Sequence, residues 1–120
     1  MILYLTSYPN TYWAKERSLY EIKKSIENSV CFGAYLDGKQ IGFARVITDK
    51  TIFSYLLDVF IDEKYQGKNY GQFFLKEIYN HPHLIQVKKH YLHTKDAQRF
   101  YEKFGFETYP NPKRFMIKTN

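Results

Sequence analysis

The stretch Tyr65-Gln66-Gly67-Lys68-Asn69-Tyr70-Gly71 decides how this chain is read. Before it runs the apolar segment Ile52 to Ile61, which reads as a strand. After it comes Gln72-Phe73-Phe74-Leu75-Lys76-Glu77-Ile78-Tyr79, which reads as a helix. A strand, a glycine-bearing loop and a helix in that order make an anion site. The first N–H groups of a helix have no partner within it and point at whatever precedes it. Aligned peptide dipoles add about half a positive charge there. A pyrophosphate suits such a place.

Upstream of the loop, Met1 to Leu5 reads as a short edge strand and Tyr8-Pro9-Asn10 as a turn. Thr11 to Asn28 is helical in pattern. Ser18-Leu19-Tyr20-Glu21 matches a capping box, so a helix can start at Ser18. Leu19, Ile22 and Ile26 recur at helical spacing and mark its expected buried stripe. Val30 to Leu36 and Gln40 to Thr48 read as strands joined by Asp37-Gly38, a strong hairpin signal. Asp49-Lys50 turns the chain into Ile52 to Ile61, giving three antiparallel strands in succession.

Downstream, His81-Pro82-His83 breaks the helix Tyr70 to Tyr79, because proline cannot continue it. Gln86 to His93 contains a further strand. Asp96 to Phe104 is helical and stops at Gly105. Arg114 to Lys118 reads as a last short strand. This order describes an α+β domain. The 120 residues predict one domain.

Composition narrows the class. With 44% hydrophobic and 25% charged residues the chain is globular, not disordered. Its twelve Tyr and ten Phe serve a core and line pockets equally well. The net charge of +6 favours phosphate-bearing partners. No block of five like charges occurs, which disfavours a nucleic-acid tail. Cys31 is the single cysteine, so a disulfide framework or multi-thiolate metal site within the chain is excluded. Its strand-like setting reads as a buried, inert thiol. The spacings of His81, His83, His90 and His93 match no zinc pattern, and no metal is expected. No signal-peptide pattern opens the chain and no apolar run approaches the ~20 residues of a membrane span. A cytoplasmic protein is expected.

Two segments resemble the GCN5-related N-acetyltransferase (GNAT) superfamily. Gln66-Gly67-Lys68-Asn69-Tyr70-Gly71 is similar to its Gln/Arg-x-x-Gly-x-Gly/Ala loop. Thr94-Lys95-Asp96-Ala97-Gln98-Arg99-Phe100-Tyr101-Glu102-Lys103-Phe104-Gly105-Phe106 is similar to its Asn-x-x-Ala-x-x-Phe-Tyr-x-x-x-Gly-Phe segment. The element order over Val30 to Lys118 fits too. In two places the chain departs from the pattern: Asn69 stands for the first loop glycine, and Thr94 for Asn. Asn tolerates the left-handed backbone region better than other non-glycine residues.

The resemblance implies a mostly antiparallel mixed sheet flanked by helices, and acetyl-CoA as cofactor. It implies that Gln66, Gly67, Lys68, Asn69, Tyr70, Gly71 and Gln72 serve the pyrophosphate, with Lys64 adding charge. Val59, Phe60 and Ile61 would serve the pantetheine arm, on a strand that splays from its neighbour. Asp96, Ala97, Phe100 and Tyr101 would complete the cofactor site. Tyr101 would protonate the thiolate; a phenol near pKa ~10 is a reasonable acid for a thiol near ~8.5. Attack by the amine would be direct, on a primary amine of a small molecule.

Asp58 interrupts an apolar strand, where an unpaired carboxylate is costly. Strand alternation puts Leu56, Asp58 and Phe60 on one face. Relatives often carry a basic Glu at the place of Leu56. Three roles for Asp58 stay open: general base, contact to a cationic substrate, or structural partner of Arg45. Arg45 is a pocket wall or an ion-pair partner, and Asp49 starts a turn. Trp13, with Tyr12, either shapes the acceptor pocket or acts as a hydrophobic staple. Two other classes of function remain: an acyl-CoA-binding or ligand-sensing module without turnover, and an enzyme acting on a macromolecule such as a protein lysine or aminoacyl-tRNA. Nucleic-acid binding rests on charge alone, and a homodimer is compatible with the chain.

Overall fold

The computed structural model describes residues 2–5 and 18–120. Tyr12 and Trp13, and the turn at Tyr8-Pro9-Asn10, lie outside the described residues. Five strands form one sheet: β1 (Ile2–Leu5), β2 (Val30–Leu36), β3 (Lys39–Thr48), β4 (Phe53–Ile61) and β5 (Lys89–Leu92), in that spatial order. The first four pair antiparallel, and β5 runs parallel to β4. The helices are α1 (Leu19–Glu27), α2 (Tyr70–Asn80) between β4 and β5, and the short α3 (Gln98–Glu102). The expected α+β architecture is present.

Local chemistry explains the elements. The Ser18 hydroxyl accepts from the Glu21 N–H at 3.1 Å and the Glu21 carboxylate accepts from the Ser18 N–H at 3.3 Å, so the capping box forms as read. Asp37 (φ 51) and Gly38 (φ 78) carry the left-handed backbone that a tight hairpin needs, and Leu36 pairs with Lys39 across it. The carboxylate of Asp49 accepts from the N–H groups of Thr51, Ile52 and Phe53 and closes the β3–β4 turn. These three bonds hold its pKa at about 2. Gly42 is required where β3 crosses β4: a Cβ there would lie 2.7 Å from the Ile61 Cδ1.

The core lies between one sheet face and α2. Phe32, Ala34, Ile41, Ala44, Val46 and Leu56 from the strands meet Phe74, Leu75 and Ile78, with Leu84 and Val87 closing one end. On α1, Ile22 is buried, but Leu19 is 75% exposed and does not belong to the expected stripe. Leu19 is the first residue after the cap, so its side chain projects from the helix end.

The strand expected within Gln86 to His93 is present as Lys89–Leu92, which pairs alongside Phe53–Leu56. One strand reading is corrected: Arg114 to Lys118 forms no strand. Pro112–Arg114 makes a single 3-10 turn and the residues after it pair with nothing among the described residues. An apolar run becomes a strand only where a neighbour offers a ladder.

Candidate active site

The site begins where β4 outruns β5 and bulges against β3. On one side, β5 pairs with β4 from Phe53 to Leu56 and no further, while β4 continues to Ile61. On the other, the β3 register slips: Arg45 opposes Leu57, but Phe43 opposes Phe60. Asp58 and Val59 together therefore face Ala44, which is a β-bulge. Asp58 carries it with φ 55, a left-handed conformation that costs a non-glycine residue roughly 1–2 kcal/mol. Strain of this kind persists where the surrounding structure enforces it, commonly at functional sites. β4 runs on through Val59, Phe60 and Ile61 past its last pair with β5 among the described residues.

The bulge corrects the face assignment. Leu56 belongs to the core against α2, and Val59 and Ile61 pack on that same core. Asp58 instead reaches Arg45 on the opposite face, at 2.9 Å between Nε and Oδ2. Leu56 and Asp58 do not share a face, because the inserted residue reverses alternation after Leu57. Both side chains of the pair are about nine-tenths buried, 10% and 9% exposed. The Arg45 Nη1 also donates to the Ser29 hydroxyl at 3.1 Å, and that hydroxyl donates to the Ser25 carbonyl at 2.6 Å. The pair thus ties β3 and β4 to the end of α1. Arg45 forms part of a shallow groove of about 360 Å³ with Tyr20, Glu21, Lys24 and Ile47. Cys31 pairs opposite Arg45, and its thiol is raised to about 11, by burial above all and by Asp58, with Arg45 opposing. That thiol is inert at neutral pH, as its sequence setting predicts.

Beyond Ile61 the chain makes a 3-10 turn, Glu63–Tyr65, capped by the Asp62 carboxylate on the Lys64 N–H. The Gln66 side chain donates to the Ile61 carbonyl at 2.9 Å, fastening the loop to the end of β4. Gly67 (φ 77) and Asn69 (φ 67) both take the left-handed region. Asn69 therefore does what a glycine would do, and its side chain makes no capping bond. The first bond of α2 runs from the Phe73 N–H to the Asn69 carbonyl. Among the described residues, the six N–H groups from Gly67 to Gln72 donate to nothing. They lie on exposed or half-exposed backbone at the dipole-positive end of an eleven-residue helix. Such a donor set fits a pyrophosphate, with Lys64 and Lys68 exposed alongside.

The second motif meets the first through Phe100. A Cβ on Gly71 would lie 3.6 Å from the Phe100 ring and 3.8 Å from Ile61, so α3, the start of α2 and the end of β4 converge there. The Thr94 hydroxyl accepts from the Ala97 N–H at 3.1 Å and closes the turn that precedes α3. Asp96 and Ala97 lead into α3, whose Tyr101 N–H donates to the Ala97 carbonyl. Tyr101 packs on the core and stacks edge-on against Phe100 and Phe106. Burial raises its pKa above the ordinary phenol value. Behind it, the buried hydroxyl of Tyr79 has no hydrogen-bond partner, a feature with no signal in the sequence.

Three of the histidines make contacts within the fold. His90 shares a 2.6 Å hydrogen bond with the buried Ser54 hydroxyl, and the His81 ring accepts from the His83 N–H. No group of three potential metal ligands occurs among the described residues. No described helix is long and apolar enough to cross a membrane.

The comparisons with known proteins converge. The family model for the acetyltransferase (GNAT) domain matches residues 27–108. A GNAT-family protein from Xanthomonas campestris pv. campestris is 35% identical in sequence. It superposes with a TM-score of 0.82 over 92% of this chain and 78% of its own. A Gibberella zeae protein whose name proposes acetyltransferase activity is 28% identical, over 82% of this chain and 67% of its own. A GNAT family acetyltransferase from Elizabethkingia anophelis, solved with acetyl-CoA bound, is 18% identical. It shares the fold with a TM-score of 0.62 over 75% of this chain and 61% of its own. The chain belongs to the GNAT acetyltransferases, whose acyl donor is acetyl-CoA.

Proposed function

We propose that this protein is an N-acetyltransferase that moves the acetyl group directly to the primary amine of a small molecule. We read it as one cytoplasmic domain across residues 1–120. The observation that carries this reading is the continuity of two backbone features. The end of β4 at Val59, Phe60 and Ile61, which lies past its last pair with β5 among the described residues, leads through Gln66 into the six N–H groups from Gly67 to Gln72 at the start of α2.

Bound acetyl-CoA supplies a thioester, an acyl group already activated toward amines. The chain supplies position and protons. The N–H groups from Gly67 to Gln72 hold the pyrophosphate, and the edge of Val59, Phe60 and Ile61 pairs with the extended arm. An N–H on that edge stabilises charge as it develops on the carbonyl oxygen, worth a few kcal/mol in a water-poor site. The Tyr101 Oη holds the proton that the departing sulfur takes; burial raises its pKa and keeps that proton in place at neutral pH. Arg45 orients Asp58, which receives the amine proton directly or through water, or binds a cationic acceptor. Tyr12 and Trp13, read from the sequence alone, suit an amine with an apolar body.

A binding module without turnover is the second reading. It is favoured by the ion pair with Arg45, which engages the one carboxylate of β4. One experiment separates the two. The protein is mixed with millimolar acetyl-CoA and a panel of small amines, lysine peptides and aminoacyl-tRNA, and free thiol is followed. Acetyl-CoA raises the melting temperature under both readings, since a ligand of the native state stabilises it. Turnover of a small amine, lowered ~10- to 1000-fold in kcat by Tyr101→Phe, supports the enzyme. Turnover of macromolecules alone refutes the acceptor class. A melting shift without turnover of any amine refutes catalysis.

A further inference from the structure

One buried titratable group is left unused by the mechanism, and it sits behind the residue that gives the proton. Tyr79 lies in the last turn of α2. Its hydroxyl is shut off from solvent and has no hydrogen-bond partner among the described residues. Leaving a buried hydroxyl unpaired costs stability, so such a group calls for a reason. Tyr79 and Tyr101 flank one ring. Phe106 lies 5.6 Å from the Tyr79 ring and 6.0 Å from the Tyr101 ring, edge-on to both. Both tyrosines pack against the apolar core. Burial above all, and then a charge on Tyr101, hold the Tyr79 phenol far above its ordinary range.

The proposed reaction creates that charge. Tyr101 gives its proton to the departing sulfur: the O–H bond breaks, an S–H bond forms, and the electron pair stays on the Tyr101 Oη. A phenol near pKa ~10 is already a weaker acid than a thiol near ~8.5. Burial raises Tyr101 further. The transfer is uphill unless the phenoxide is steadied. We propose that Tyr79 steadies it: the unengaged Tyr79 O–H turns its dipole toward the Tyr101 oxygen as the proton leaves. A hydroxyl rotates without moving its ring. A dipole aimed at a developing charge counts for most where water is scarce. Tyr79 keeps its own proton through the step and so remains a donor. The other titratable ring against Tyr79 is His90 of β5, edge-on at 4.9 Å. Burial lowers the pKa of His90, so this ring is neutral where Tyr101 works. Tyr79 is thus a positioning residue that acts through Tyr101, and the inference rests on the proposed role of Tyr101.

Tyr79→Phe tests it, because it removes the hydroxyl and keeps the ring. With isotope-labelled tyrosine, the Tyr101 phenol is followed by NMR through an alkaline titration, and its signal is identified by its absence in Tyr101→Phe. In Tyr79→Phe its pKa is expected to rise by about half a unit or more. In turnover, kcat falls about 3- to 10-fold, KM for acetyl-CoA holds, and the alkaline limb of the kcat profile moves up with the phenol. In a Tyr101→Phe background the second substitution changes nothing further, whereas a merely structural tyrosine would slow both. A Tyr101 pKa that holds or falls in Tyr79→Phe overturns the inference. So does an equal loss of kcat with and without the Tyr101 hydroxyl. The titration needs no turnover: a shifted phenol in a protein that acetylates no amine would sink the proposed reaction and leave the coupling of the two phenols standing.

Discussion

Replacing Asp58 by Asn separates the charge of the β4 bulge from its backbone. Asn accepts the left-handed conformation at least as well as Asp, so φ 55 is retained and the bulge keeps its shape. What changes is the ion pair. The Arg45 guanidinium, 10% exposed, loses the carboxylate 2.9 Å away. Removing one partner of a buried pair costs about 3–5 kcal/mol, because the remaining charge is stranded. The carbonyl of the introduced amide can still accept from Arg45, and Ser29 still accepts its Nη1, so the lower end, about 3 kcal/mol, is expected. Asp58→Ala loses the same pairing and adds about 1–2 kcal/mol for a left-handed residue with no compensating polar side chain. With a urea m-value of about 1.5 kcal/mol/M, Asp58→Asn moves the unfolding midpoint down by about 2 M. That is a large part of the ~5–15 kcal/mol that holds a domain together. Adding Arg45→Met to Asp58→Asn removes the stranded charge and recovers part of the loss, a coupling of about 2 kcal/mol. A midpoint within about 0.3 M of wild type, or single effects that simply add, would refute the account of a buried, mutually dependent pair. Turnover measured on the folded fraction answers the functional question separately. If Asp58→Asn keeps wild-type kcat, Asp58 positions the strand and takes no proton.

Other outcomes follow from single features. Asn69→Gly should leave stability within about 0.5 kcal/mol and bind acetyl-CoA as well or better, because the side chain makes no capping bond; a large loss of affinity by calorimetry would contradict this. Burial lowers the pKa of His90, and burial with the nearby His83 lowers that of His81, from 6.5. The folded state then binds fewer protons than the unfolded one. Stability is complete above about pH 6.5 and declines as the pH falls below it; urea midpoints that hold steady or rise on acidification to about pH 5.5 would show the sign to be wrong. Tyr79→Phe removes a buried hydroxyl without a partner and keeps the ring contacts to His90 and Phe106. It should be neutral or stabilising by about 1 kcal/mol in thermal unfolding, and a clear loss would mean that a water serves that oxygen.

Much of this molecule was legible because its signals are local. Ser18 and Glu21 lie three residues apart, Asp37-Gly38 needs only its own φ angles, and Asn69 stands where the chain must turn left-handed before a helix. The Gln66–Gly71 and Thr94–Phe106 motifs identified the family for the same reason. What stayed hidden depends on a second strand. Nothing in Tyr55-Leu56-Leu57-Asp58-Val59-Phe60-Ile61 announces that one residue is inserted relative to β3, so simple alternation put Leu56 and Asp58 on one face. Pairing with Arg45 was foreseen as one of three possibilities, and only the register chose the face. Arg114 to Lys118 looked like a strand by composition, yet strands exist by partnership. The orphan hydroxyl of Tyr79 depends on how α2, β5 and Phe106 meet, and no short window of sequence records that.

The six N–H groups between Gly67 and Gln72 have a genetic consequence. If the proposed cofactor site is right, recognition by main-chain donors is blind to side-chain identity, so changes at the exposed position 68 are tolerated. Two kinds of change are conspicuous: any side chain at position 67, which is strained at φ 77, and proline, which removes a donor. Proline at position 68 follows a glycine and replaces an exposed side chain, yet it deletes one donor from the loop. A saturation library selected for acetyl transfer would therefore carry a signature of its own here. Lys68→Pro would lose function at a position that accepts almost any other residue.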